Sequence, residues 1–243
     1  MADVGEPHYR RVMDIILIPG LWLDASSWDD VIPTLERAGH RVHPLTLPGL
    51  GAPSSESAEI GIADWVDDAT RVLDSLPGEA VVVGHSGGGN VAWGVADARP
   101  ERVSRVIFVD TVPPPSGNGI SEFELVDGVV PFPGWGFFPD EDVSDLDEET
   151  RSRTAPLTHS VPARVPTDEI VLTDSARYRI PVTLLMGGLD QETFEGMIDQ
   201  WGPYADEYHA IADAEVVKVG SGHWPQFSVP ENLGELINAA IAR

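Results

Sequence analysis

The sequence predicts an α/β protein: a mostly parallel central sheet flanked by helices, with a helical cap inserted late in the chain. Three observations carry this. Short β-branched apolar runs recur, and they are continuous rather than alternating, which marks strands buried on both faces. Segments with helical apolar spacing separate these runs, so the rhythm is strand, helix, strand. One junction, AVVVGHSGGGNV at 80–91, carries Gly84-His85-Ser86-Gly87-Gly88, the strand, tight turn and helix of a nucleophile elbow.

In chain order, DIILIP at 14–19 is a buried parallel strand and Gly20-Leu21-Trp22-Leu23 the loop after it. Ser26 or Ser27 is placed to cap a helix whose face is Trp28, Val31, Ile32 and Leu35, stopped by Gly39. Residues 41–47 form a second strand. Ile62, Trp65, Val66, Ala69, Val72 and Leu73 form one face of a helix closed by Pro77-Gly78. The elbow strand follows, then a helix ending before Pro100, then the strand RVIFVD at 105–110. From Thr111 to about Ile180 the buried-strand signal stops. Phe123, Phe132, Trp135, Phe137 and Phe138 enrich this stretch, and Ser144-x-x-Asp147 offers a capping box. A structureless loop of that length does not suit a compact domain, so residues 112–180 are read as the cap, and 1–111 with 181–243 as the core. The rhythm resumes with a strand at 182–186, the turn Gly187-Gly188-Leu189-Asp190, helix over 193–211, and a last strand at 214–219. The loop Gly220-Ser221-Gly222-His223-Trp224 leads to a final helix opened by Ser228-x-x-Glu231 with Pro230.

The chain has 243 residues, enough for one large core, and 42% hydrophobic content fits a globular protein. It has no run long and apolar enough for a membrane span, and MADVGEPHYRRVMD lacks an apolar signal segment, so a cytoplasmic location is expected. There is no cysteine, hence no disulfide or thiolate metal site. A net charge of −25 argues against nucleic acid or an anionic membrane as partner and leaves a small-molecule substrate. The acidic stretch 140–149 lacks the glycine of a calcium loop, so no metal is expected. Oligomeric state is not legible.

A serine hydroxyl attacks only when a base takes its proton and a third group orients that base. Among the histidines at 8, 40, 43, 85, 159, 209 and 223, only His223 sits in a Gly-rich loop directly after a strand's carboxyl end, where reactive groups of parallel sheets gather. For the acid, Asp190 and Asp110 both follow strands, and both give the order Ser, Asp, His. Asp190 is preferred, because a loop after its strand lets the carboxylate reach sideways to a ring; Asp110 is the alternative. The oxyanion donors expected from the motif are the N–H groups of Leu21, in the loop after the first strand, and Gly87, after the nucleophile. Trp22, His85, Phe132, Trp135, Phe137 and Trp224 are the candidate substrate contacts, although the aromatic residues of the inserted stretch serve equally well as its own core.

With PGLW after the first strand, GHSGG, GGLD and GHW in place, the chain resembles α/β-hydrolase fold enzymes over nearly its whole length. It is most similar to the methylesterase and hydroxynitrile lyase branch and its bacterial esterase relatives, which share the helix ending in AGH at 38–40. The resemblance implies Ser86 as nucleophile, His223 as base, Asp190 as acid, Leu21 and Gly87 as oxyanion amides, no cofactor, and a core of about six strands. Two departures stand out. Pro19-Gly20 replaces the usual His-Gly of the oxyanion loop. Trp224 occupies the position where lyases of the branch carry lysine, which counts against lyase chemistry. The expected function is cleavage of a small carboxylic ester, or a related lactone or thioester, through an acyl-enzyme. The alternatives are C–C bond hydrolysis, lyase chemistry or cofactor-free perhydrolysis on the same machinery, and a ligand receptor with little turnover.

Overall fold

The computed structural model describes residues 12–243; His8 and the N-terminal segment lie outside the described residues. The strands are β1 (Asp14–Ile18), β2 (Arg41–Pro44), β3 (Ala80–His85), β4 (Val103–Val109), β5 (Val129–Val130), β6 (Val161–Pro162), β7 (Val182–Met186) and β8 (Ala214–Lys218). The helices are α1 (Ile32–Arg37), α2 (Ser54–Ser57), α3 (Ile62–Ser75), α4 (Gly87–Ala98), α5 (Asp140–Val143), α6 (Glu148–Thr154), α7 (Gln191–Ile198), α8 (Pro203–Ala210), α9 (Pro225–Ser228) and α10 (Pro230–Ile241). A six-stranded sheet runs in the order β2-β1-β3-β4-β7-β8, and every neighbouring pair in it is parallel. The chain order reverses at β1 and β3, and the elbow stands at the carboxyl end of β3, the switch point where parallel sheets place their sites.

The strands read as continuous apolar runs because each residue faces one helical layer or the other. Ile15, Leu17, Val81, Val83, Ile107 and Val109 pack with Trp28 and Leu35 on one side and Leu233 and Ile237 of α10. Ile16, Ile18, Val82, Val106 and Phe108 pack the opposite way, against Trp65, Ala69 and Leu73 of α3 and Trp93 of α4. The period-2 alternation of the strand thus feeds two cores at once.

Several boundaries differ from the sequence reading. Asp24, not Ser26 or Ser27, caps the 3-10 turn Ala25–Trp28, and α1 begins only at Ile32. β2 stops at Pro44 rather than Leu47. The helix expected over 193–211 is two helices, parted where Gly202 takes φ 57° ahead of Pro203. Asp147 rather than Ser144 caps α6, accepting from the Thr150 N–H. Ser228 closes α9, and α10 starts with no side-chain cap.

Between β4 and β7 the chain is less helical than expected. It forms short helices, the longest being α6 with 7 residues, and the antiparallel ribbon β5–β6, which was too brief to register as a pattern. Its far end is pinned to the core by a buried polar network. Arg177 donates to Glu207 of α8 (3.0 Å) and Asp97 of α4 (3.1 Å), and the Trp93 indole N–H also donates to Glu207 (2.7 Å).

Candidate active site

The elbow is built by close backbone approach. A side chain at Gly84 would collide with the Gly88 carbonyl oxygen, and one at Gly88 with that of Pro19, so β3, the turn and α4 pack only because both are glycine. Ser86 sits at the apex with φ 50°, a conformation that L-residues rarely adopt and that active-site turns retain. Its hydroxyl oxygen is 2.9 Å from Nε2 of His223. On the other side of that ring, Nδ1 lies 2.6 Å from Oδ2 of Asp110. Asp110 directly follows β4 with φ 47°, and its second oxygen accepts from the Gly187 N–H at 2.7 Å. Burial pulls the Asp110 carboxyl upward, but the hydrogen bond and charge of His223 and the Gly187 N–H outweigh it, leaving it below the usual range.

Asp190, the preferred acid of the sequence reading, does not meet His223. It is exposed at the N-terminus of α7, where its carboxylate accepts from the Thr193 N–H (3.0 Å) and hydroxyl (2.7 Å). A side-chain cap satisfies it where it stands. Asp110, the alternative, occupies the place assigned to Asp190, because β4 lies directly beside β3 and the His223 loop folds over its end.

That loop is held from several sides. The Ser221 N–H donates to the Gly187 carbonyl (3.1 Å), the Gly222 N–H to Asp145 (2.7 Å), and the His223 N–H to the Asp142 carbonyl (2.9 Å). His85 faces away from Ser86, as expected of the elbow's variable residue, and is 1% exposed. Its Nε2–H donates to the His223 carbonyl at 2.7 Å, and its Nδ1 accepts from the Gln226 amide at 3.2 Å. Burial and the neighbouring His223 push the His85 ring down to about 3, so it is neutral. No pattern in the sequence announced Gln226 as its partner.

Leu21 and Gly87 come together in front of Ser86: a Cβ placed on Gly87 would lie 2.9 Å from Leu21 Cγ. Among the described residues the Leu21 N–H makes no backbone hydrogen bond, and that of Gly87, first in α4, has no acceptor within the helix. A cavity of about 200 Å³ opens over Ser86 and His223, walled by Trp22, Ile120, Phe123, Phe138 and Trp224. Trp22, His85 and Trp224 of the expected contacts border it. Phe132, Trp135 and Phe137 do not. Phe132 and Trp135 pack behind the wall, against Phe138 and Trp224 respectively, and Phe137 is 60% exposed. Ile120, Phe123, Phe138 and Asp142 stand there instead; Phe123 and Phe138 were visible as aromatics of the insertion, but spacing could not say which rings face inward. A larger depression of about 610 Å³ beside Glu79 and Pro100 lies at the amino end of the strands and contains none of these groups. Among the described residues no cluster of three His, Asp or Glu is placed to hold a metal ion, and no helix is long and apolar enough to cross a membrane.

The model of the alpha/beta hydrolase family matches residues 15–236. The chain belongs to this family. Within it, the chain is 25% identical over 245 residues to a carbendazim hydrolyzing esterase of Nocardioides sp. (strain SG-4G), covering 93% of this chain and 98% of the relative. It is 37% identical over 101 residues to the pimeloyl-[acyl-carrier protein] methyl ester esterase of Nitrosomonas europaea, but that match spans only 41% of this chain and 38% of the relative. Among solved structures, an extracellular α/β-hydrolase from a Paenibacillus species superposes with a TM-score of 0.75 at 19% identity, covering 94% of this chain and 98% of the other. A methylesterase from Arabidopsis superposes with a TM-score of 0.70 at 19% identity, covering 95% and 99%. These structures share the hydrolase fold with the present chain.

Proposed function

We propose that this hydrolase cleaves small carboxylic esters through a covalent acyl-serine. The observation that carries the reading is the single ring of His223 spanning Ser86 on one side and Asp110 on the other, at hydrogen-bond distance from both. His223 Nε2 takes the Ser86 proton as Oγ attacks the ester carbonyl. The oxygen of the tetrahedral intermediate is received by the N–H groups of Leu21 and Gly87. His223 then gives its proton to the departing alcohol oxygen, leaving the acyl group on Ser86. Water, deprotonated by the same ring, attacks the acyl carbon, and the proton returns to Ser86 as the carboxylic acid leaves. Asp110, ionised at neutral pH, holds Nδ1–H in place and stabilises the imidazolium. No cofactor enters this scheme. Residues 112–180 act as a lid, supplying Ile120, Phe123 and Phe138 to the cavity wall. The esterase relatives support the reaction class.

A fluorophosphonate probe tests this. Wild-type protein labels covalently and Ser86→Ala does not; folded wild type that stays unlabelled refutes the nucleophile and favours a receptor that binds without turnover. A panel of aryl esters, lactones and thioesters, with Ser86→Ala as blank, then ranks the bond cleaved.

A further inference from the structure

Asp142 is a carboxylate the scheme above does not use. It sits on α5 in the wall of the cavity, half-buried, with aromatic rings for neighbours. Its backbone carbonyl holds the His223 N–H, so the residue is fixed beside the base. Its side chain makes no hydrogen bond or ion pair with any described residue, and among the described residues no lysine or arginine borders the cavity. Burial, helped by the nearby charges of Asp110 and Glu141, pushes the Asp142 carboxyl above its ordinary value, and the opposing pull of His223 does not cancel this. Trp22, Phe123, Phe138 and Trp224 line the same cavity. A carboxylate among aromatic rings suits a cation, which gains from the ring quadrupoles as well as from the charge. It repels an anion. The whole molecule biases encounter the same way, with a net charge of −25.

We propose that the site selects esters whose alcohol portion carries a positive charge, an ammonium or a protonated amine, with Asp142 as its counter-ion. The inference rests on the ester-hydrolase reading. The alcohol side is assigned because Asp142 adjoins His223, which protonates the leaving alcohol, whereas the oxyanion amides of Leu21 and Gly87 mark the other side of Ser86. Asp142 is thus a specificity residue, not part of the proton relay.

The test compares an acetate ester of a trimethylammonium alcohol with its uncharged tert-butyl isostere, and with an isostere ending in a carboxylate. Wild type is expected to show kcat/KM at least tenfold higher for the cationic ester than for the neutral one, and lowest for the anionic one. Asp142→Asn and Asp142→Ser should each lower the cationic-to-neutral ratio fivefold or more, mainly through KM. The preference should also shrink as salt is raised. A wild-type ratio near one, or a ratio unchanged in both variants, overturns the proposal while neutral-ester turnover leaves the hydrolase reading standing. An equal loss on both esters also overturns it, because Asp142 would then act through His223 rather than on the substrate. If no ester is cleaved, the hydrolase reading fails. Quenching of Ser86→Ala tryptophan fluorescence by tetramethylammonium then decides separately: quenching that is lost in the added Asp142→Asn supports the cation site, and its absence overturns it.

Discussion

At the scale of single residues, the proposed chemistry depends on which carboxylate His223 meets. Asp110→Asn should lower kcat by about 10³- to 10⁴-fold, because an amide neither holds the ring's tautomer nor stabilises its charge. Asp190→Asn should leave both kcat and the melting temperature nearly intact, since asparagine caps an exposed helix end about as well as aspartate. Steady-state kinetics on both variants checks this; the reverse pattern would return the acid to position 190. His85 has a different signature. Its folded value of about 3 lies below the ordinary 6.5, so below pH 6.5 the unfolded chain takes up a proton that the folded one does not. Stability from this group is complete above that pH and falls by about 1.4 kcal/mol per pH unit on the way down towards the folded value. Urea denaturation between about pH 6 and pH 4 should therefore show a shallower pH dependence in His85→Gln than in wild type. Equal slopes would mean that the ring is protonated in the folded state.

At the scale of elements, the insertion between β4 and β7 is attached at both ends. Near the site, Trp135, Val143 and Leu146 pack with Leu23, Trp224 and Phe227. At the far end, Arg177 and Glu207 form an ion pair whose side chains are each 6% exposed, joined by Trp93 and Asp97. Removing one member strands the other in low dielectric. Glu207→Ala should cost about 3 kcal/mol in urea denaturation, more than an exposed pair such as Arg71–Asp68 would. It should also raise KM before it lowers kcat, because Arg177 and Glu207 lie at the other end of the insertion from Asp142 and Asp145, which hold the His223 loop. A loss confined to kcat would disconnect this network from the wall.

At the scale of the whole molecule, 40 acidic residues face 15 basic ones. Such an excess of one sign destabilises the compact state through self-repulsion that salt screens. The melting temperature should rise between about 10 mM and about 300 mM sodium chloride, and the rise should be similar in Ser86→Ala, which leaves the charge untouched. An unchanged melting temperature would mean that the acidic side chains are too far apart, or too well hydrated, to repel.

The sequence by itself determined the α/β rhythm, the parallel strands and the elbow, because burial on two faces and a turn without side chains leave few residue choices. The same local chemistry singled out Ser86, His223, Leu21 and Gly87. What only the tertiary structure decided lay between elements. Whether Asp110 or Asp190 faces His223 depends on how the 220–224 loop settles on Gly187 and Asp142, contacts between segments far apart in the chain. Which of the insertion's rings line the cavity depends on short turns and a two-residue ribbon whose periodicity is too brief to read. His85 and Gln226, 141 residues apart, meet only once the sheet has closed the distance between them.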